Sequence, residues 1–423
     1  MEGQSNASAT ITKPASPRSF LQPMTAFWSA IAIGAAIRLY LVLFTEGTSD
    51  VELWEENARG VHQLGLISYY HAEPTANHPP LIFEVESLFY EAATMSGIPF
   101  RVLLRAPFAI VDAGTMLLLL NLLPASRYRL LVAAGYWLNP LSIIFSAYHG
   151  NTDSAVAFFL LLSVSCLARD KVAIAGFSAG AGLWIKLAGV LAVPALFLFL
   201  EGWRKRIIFL AGFGLTALAG YLPALIQDPR AVYAGVFGYR GIALQTVAGI
   251  PVWGLRVVFF SLLAPPDKWP AALHLPVEFI MQNSWQIAIV LMLIVAWLRR
   301  SRRTVPELCA TIAGMYLMIY GFSDNWSFQY FAWALPFWFS LGPYFFIPAI
   351  LLGSAYIYSL YWFLCGNGWL RGTWDFVGHP YWPSALVAFR DLAVLFFFFS
   401  ACLFLFFATR PQPLEFRRQA QLE

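Results

Sequence analysis

Apolar runs separated by short polar turns occupy most of the chain, near residues 24–44, 102–123, 130–148, 154–168, 172–185, 188–200, 207–226, 277–298, 305–321, 328–344, 346–364 and 386–408. A helix needs about 20 apolar residues to cross a bilayer. The pattern therefore predicts an all-α, polytopic membrane protein of about twelve transmembrane helices, and the shorter runs predict that some of them are broken. The segment from Pro80 to Ser96 departs from the pattern because it carries Glu84, Glu86 and Glu91. Each carboxylate costs ~2.5–3.5 kcal/mol at the bilayer centre even on the lenient insertion scale. This segment is expected to lie on the membrane surface as an amphipathic helix, with a second such helix over 51–65. Residues 1–23, rich in Ser, Thr, Ala and Pro, read as a disordered cytoplasmic tail. The run 24–44 is longer than the apolar core of a signal peptide and reads as a retained first span. Residues 24–408 then form one membrane domain, and 409–423 a second cytoplasmic tail.

Composition narrows the class. Of the 423 residues 59% are hydrophobic and 12% charged, about half the charge of a soluble domain, with a mean hydropathy of +0.64. These values exclude a soluble enzyme, a disordered protein and a DNA-binding domain. The net charge of +4 does not advertise a nucleic-acid partner. Charge placement is more informative, because cytoplasmic turns collect Lys and Arg. With the N-terminus inside and each run crossing once, Arg127/Arg129, Arg169/Lys171, Arg204/Lys205/Arg206 and Arg299/Arg300/Arg302/Arg303 share one side with both tails, while most carboxylates fall on the other. Arg38, Arg105, Lys186 and Arg390 lie within the predicted spans, and Arg38 and Lys186 are expensive enough there that they should face protein or a phosphate and not lipid. The four cysteines are scattered singly, with no spacing that suggests a metal or a disulfide framework.

Five polar clusters fall on the expected outer side: 48–52 with Asp50 and Glu52, 76–81 with His78, 148–154 with His149, Asn151 and Asp153, 238–241 with Tyr239 and Arg240, and 323–330 with Gln329 and Tyr330. Each has a structural reading beside a chemical one. Asp50 caps the following helix or acts as a base. Asp50 with Glu52 has the spacing of a two-carboxylate metal site, although a divalent ion wants several further oxygen ligands. His78, before two prolines, is a rigid loop element or a substrate contact. Asn151 and Asp153 open a helix, Arg240 pairs with Asp228 or holds a phosphate, and Gln329/Tyr330 sit in an aromatic belt or touch substrate.

The order of these clusters resembles that of the GT-C superfamily of membrane glycosyltransferases, with the nearest likeness to GPI mannosyltransferase I and related bacterial polyprenyl-phosphomannose-dependent enzymes. The likeness is carried by Ser49-Asp50-Val51-Glu52, Ala58 and Gly65 ahead of Tyr69/Tyr70, Pro80-Leu81, Asp112, Trp137-Leu138-Asn139-Pro140-Leu141, Gly150-Asn151-Thr152-Asp153-Ser154, Lys186, and Gln329-Tyr330-Phe331 with Trp333 and Leu335-Pro336. It covers most of 26–200 and a patch near 323–340; elsewhere only the topology matches. Glu52 stands where the eukaryotic pattern has a second Asp, and Lys186 lacks the proline expected soon after it.

The resemblance implies transfer of a hexose, mannose by this likeness, from a polyprenyl-phosphate sugar to an acceptor hydroxyl on the non-cytoplasmic face, with inversion. Asp50 would be the catalytic base. Glu52, His78, His149, Asn151, Asp153, Lys186, Tyr239, Arg240, Gln329 and Tyr330 would bind donor or acceptor, Arg240 first among them for the phosphate. No cofactor is firmly implied, and a divalent metal at Asp50/Glu52 is the lesser expectation. The partners implied are the lipid-linked donor, the bilayer, and a glycan, glycolipid or protein acceptor. The membrane would be the inner membrane of a bacterium or the endoplasmic reticulum of a eukaryote. A lipid-sugar flippase or solute transporter explains the helix count equally well but not the two structured outer loops.

Overall fold

The computed structural model describes residues 18–73, 76–123, 126–238, 246–247, 250–251, 254–257, 259, 268–324, 326–374 and 381–408. The expected tails, apart from 18–23, lie outside these residues. The described chain is almost entirely helical. Its helices are α1 (Arg18–Phe44), α2 (Ser49–Leu64), α3 (Leu66–Ala72), α4 (Pro80–Ser96), α5 (Phe100–Leu122), α6 (Arg127–Trp137), α7 (Pro140–Ile143), α8 (Asp153–Leu167), α9 (Val172–Ile185), α10 (Val193–Phe199), α11 (Trp203–Gln227), α12 (Pro229–Phe237), α13 (Leu255–Val257), α14 (Ala271–Leu298), α15 (Val305–Phe322), α16 (Pro343–Cys365) and α17 (Ser384–Ala408). A two-residue antiparallel ladder, β1 (Thr246–Val247) with β2 (Ile250–Pro251), sits in the segment between α12 and α13.

Seven of these helices are long and apolar enough to cross a membrane: α1, α5, α11, α14, α15, α16 and α17. The remaining predicted runs are shorter or interrupted. The run 130–148 is split at Asn139-Pro140 into α6 and α7, which are bent by 43°. Pro140 has no N–H to continue the ladder, and Asn139 caps the new helix by accepting from Leu141 N at 3.0 Å. The carbonyls orphaned at the break find side-chain donors: Ser142 Oγ reaches Tyr136 O at 2.8 Å and Arg38 Nη1 reaches Trp137 O at 2.7 Å. The run 188–200 is a 3₁₀ turn, Leu187–Ala192, followed by α10. The run 328–344 does not form the α-helix expected of it. It folds as two 3₁₀ segments, Phe328–Trp333 and Leu335–Leu341, divided before Pro336, and only then enters α16.

The segment Pro80–Ser96 is a helix with the expected bounds. Both of its ends lie near the same end of the bundle: Pro80 follows the loop holding His78, and Ser96 is four residues before Phe100, whose neighbour Arg101 pairs with Glu46 at 3.2 Å. The helix therefore lies along that end of the bundle, and it is not among the helices long and apolar enough to cross a membrane. It is not merely laid on a surface, however. It packs against α2, α5, α9 and α11, and Glu86 points inward, fully buried, with neither carboxyl oxygen hydrogen-bonded among the described residues.

Buried polar residues within the spans satisfy one another. Asp112 of α5 accepts from Arg38 of α1 at 2.8 Å, from Tyr136 at 2.7 Å and from Ser146 at 2.7 Å, and Arg38 lies over Trp137. The basic turns gather at one end, where Lys205 pairs with Asp170 at 2.5 Å, Arg303 with Glu201 at 2.7 Å, and Arg299 with Glu307. Asp170 follows the end of α8 and Asp153 begins it, so the outer polar clusters lie a helix length away, about 22 Å at ~1.5 Å per residue.

Candidate active site

At that other end, two turns meet around Val51. Gly47 and Gly150 both have positive φ, +92° and +72°, and a Cβ on either would collide with Val51 Cγ2 at 2.7 and 2.3 Å. Only glycine permits both the left-handed backbone and the close approach. The N-terminus of α2 is thereby pressed against the turn before α8. Thr48 locks the junction: its hydroxyl donates to His149 O at 2.7 Å and accepts from Asp50 N at 3.2 Å. Arg105, fully buried in α5, holds both turns from beneath, donating to Val42 O at 3.0 Å, Thr45 O at 2.6 Å and Tyr148 O at 3.5 Å. The last turn of α1 supplies acceptors and a negative dipole end for its charge.

Asp50 is the centre of this arrangement. Its Oδ2 accepts from Asn151 Nδ2 at 3.0 Å and lies 3.0 Å from His149 Nε2. Its side chain remains 30% exposed whereas that of His149 is 1% exposed. Burial pushes the Asp50 carboxyl up, but His149, the Asn151 hydrogen bond and the charge of Lys186 outweigh it and hold the group below its ordinary range. His149 is delivered by a π-helical turn, Ile144–Tyr148, whose extra residue is visible in the bond from His149 N to Ile144 O at 2.7 Å. One added residue rotates the chain beyond it by about 100°. On its far side the imidazole Nδ1 meets Tyr361 OH of α16 at 2.5 Å.

A second acid lies close by. Asp153, in the first turn of α8, accepts from Lys186 Nζ at 2.9 and 3.1 Å and from Trp333 Nε1. Lys186 is not within a helix. It occupies the extended break after α9, with its ammonium 5.4 Å from the ring of Tyr330. Tyr330 in turn stacks on Trp333 with centroids 3.9 Å apart. His78 packs on Trp54 at 4.2 Å, and its carbonyl accepts from Tyr70 OH at 2.7 Å, while its Nδ1 is buried without a partner among the described residues. Burial and then Lys186 press the His78 pKa down to about 3, with Asp50 acting the other way. His78 thus shares one electrostatic neighbourhood with Asp50 and Lys186 and stands in it as a neutral imidazole. Gln329 is buried beside this group, its Oε1 accepting from Ser327 Oγ.

The structure therefore brings together Asp50, His78, His149, Asn151, Asp153, Lys186 and Tyr330, with Gln329 alongside. It sets Glu52 apart. Two positions along a helix are about 200° around its axis, and Glu52 is exposed on another side of α2, so it does not converge with Asp50 on a common ion. Among the described residues no group of three or more His, Cys, Asp or Glu could hold a metal. Tyr239 and Arg240 lie outside the described residues. Sequence reasoning passed over Arg105 and Tyr361 as site residues. A buried arginine or tyrosine in an apolar run has to find hydrogen-bond partners, and that requirement was the available signal.

A glycosyltransferase family 87 model matches residues 92–320, just over half of the chain. The chain belongs to this family. Glycosyltransferase family 87 is a GT-C type family of polyprenyl-phosphate-sugar glycosyltransferases, so the site described above belongs to a membrane glycosyltransferase. The family 87 match contains His149, Asn151, Asp153 and Lys186, begins after Asp50 and His78, and ends before Gln329 and Tyr330. It also extends over 201–320, where the sequence likeness was one of topology alone. No curated protein and no solved structure matches the chain.

Proposed function

We propose that the protein transfers a hexose, mannose by sequence resemblance, from a polyprenyl-phosphate sugar to an acceptor hydroxyl at the non-cytoplasmic membrane face, with inversion. The observation that carries this reading is Asp50 itself, a partly exposed carboxylate with one oxygen held by His149 and Asn151 and the other without a partner among the described residues. Such a group is suited to take the proton of an attacking hydroxyl, a role worth about 10²–10⁴-fold in rate. The acceptor oxygen would attack the anomeric carbon opposite the lipid phosphate, which gains charge as its bond breaks and needs preorganised donors. Lys186, held by Asp153 yet 19% exposed, would supply one such donor. Arg240, the first expectation for this role, lies outside the described residues and stays a candidate cation. The faces of Tyr330 and His78 would flank the sugar, and Asn151, Asp153 and Gln329 would orient the groups that touch it. The lipid tail would run along the apolar helices, which explains why a glycosyl transfer needs so much hydrophobic sequence.

The proposal is tested with purified protein in detergent, radiolabelled synthetic polyprenyl-phosphate sugars and added membrane extract as acceptor source. Asp50→Ala is expected to lose at least 10²-fold in turnover while still binding donor. Full activity in that variant would remove Asp50 as the base. Equal turnover with and without EDTA is expected from the divergence of Asp50 and Glu52.

A further inference from the structure

Tyr361 lies near the C-terminal end of the apolar helix α16, and its hydroxyl has a decisive position. From it we infer that Tyr361 is a positioning residue for the proposed reaction: acting through His149, it fixes which oxygen of Asp50 receives the acceptor proton. This deepens the reading of Asp50 as general base and rests on it.

The argument is one of donors and acceptors. Tyr361 is fully buried, and among the described residues the hydrogen-bond partner of its hydroxyl is His149 Nδ1 at 2.5 Å. A buried O–H left without an acceptor carries its full desolvation cost, so the phenol donates and Nδ1 presents a lone pair. On the opposite side of the ring, Nε2 faces Asp50 Oδ2 at 3.0 Å. An ionised carboxylate can only accept, so Nε2 bears the proton. The imidazole is held as its neutral Nε2–H tautomer, donating to Oδ2. Asn151 Nδ2 donates to the same atom at 3.0 Å. Oδ2 is therefore doubly occupied, whereas Oδ1 has no partner among the described residues and belongs to a carboxylate that is 30% exposed.

Oδ1 is thus the reacting oxygen. In the transfer, the acceptor hydroxyl proton passes to Oδ1 and its oxygen forms the new bond to the anomeric carbon. The bond from that carbon to the phosphate oxygen breaks, leaving the electron pair on the phosphate. His149 and Tyr361 keep their protons throughout. The other groups around the imidazole are aromatic: Phe145, Phe328 and Trp374 meet it edge-on. Tyr148 packs on Tyr361 at 5.7 Å between rings, and the charge of Lys186, paired with Asp153, acts on Asp50. No carboxylate other than Asp50 is within ion-pairing distance of the ring among the described residues.

The tautomer is read directly by long-range 1H–15N spectra of protein labelled at its six histidines, with His149→Gln identifying the signal. Wild type is expected to show the neutral Nε2–H pattern, and Tyr361→Phe a mixture with Nδ1–H or imidazolium. With polyprenyl-phosphate mannose as donor, Tyr361→Phe is expected to lower kcat about threefold to tenfold, the worth of one hydrogen bond, at unchanged donor KM. Its kcat–pH profile should differ from that of wild type, because the ring tautomer that donates to Asp50 Oδ2 is then no longer fixed. An Nδ1–H or imidazolium signal in wild type overturns the inference, as does a Tyr361→Phe enzyme with the wild-type tautomer and pH profile. Asp50→Asn separates the two readings. Full turnover in that variant retires the base itself, whereas lost turnover together with an unshifted Tyr361→Phe profile retires only the role of Tyr361.

Discussion

Glu86 shows how burial alone can set the chemistry of a residue. Desolvation, with no partner among the described residues to offset it, raises its carboxyl well above the ordinary range, so folding favours its neutral form. In the unfolded chain it ionises near pH 4.5. Above that pH the unfolded state binds fewer protons than the folded one, so stability falls as pH rises toward the folded pKa. Glu86→Gln keeps the shape and removes the ionisation. Its thermal midpoint in detergent is expected to exceed that of wild type by a few °C more at pH 8 than at pH 5, at roughly 2–4 °C per kcal/mol or less for a chain this long. Equal shifts at the two pH values would show that Glu86 is not held neutral. The residue scale is also where the sequence was most legible for the site. Asp50, His149, Asn151 and Asp153 stand out as polar groups amid apolar runs. Tyr361 and Arg105 did not, because a tyrosine or arginine in such a run shows its partner only after distant segments pack together.

At the scale of elements, local sequence dictates interruptions as strongly as helices. Asn139-Pro140 breaks the third apolar run, and the π-turn after it aims His149. The pairing of α9 with α11 depends on small residues, as in many membrane helix pairs. A Cβ added at Gly176 would fall 2.2 Å from Phe209 O, and one at Gly180 2.5 Å from Phe213 O. Since backbone cannot yield cheaply, Gly176→Ala is expected to cost about 1–3 kcal/mol through overpacking. Gly135→Ala in α6 meets nothing within 4 Å and should be neutral, or stabilising by up to ~1 kcal/mol from helix propensity. Melting curves of the two variants side by side check the prediction. A Gly176→Ala protein as stable as Gly135→Ala would contradict the close crossing.

For the whole molecule, the separation of basic turns from the polar site predicts sidedness. Asp170 marks the basic end, 71% exposed beside Lys205, and Glu91 is exposed on α4 near the site end. In a cysteine-free background, sealed vesicles with the cytoplasmic face inward should admit an impermeant maleimide to Glu91→Cys and exclude it from Asp170→Cys. The reverse pattern would invert the orientation and place the site on the cytoplasmic side.

The sequence by itself determined the all-helical membrane class, the bounds of α4, the grouping of charges and most of the polar residues that form the site. Those features follow from the local cost of placing polar groups and charges in hydrocarbon, which each segment carries in its own composition. Only the tertiary structure decided that Glu52 diverges from Asp50, that 328–344 is two 3₁₀ segments, that Glu86 is interior, and that Lys186 pairs with Asp153. It also decided that Tyr361 stands behind His149. Each of these depends on rotation about a helix axis, or on contacts between residues far apart in the chain. The hydrophobic pattern specifies that a segment is buried, but the partner that satisfies each buried polar atom is selected only when the helices pack.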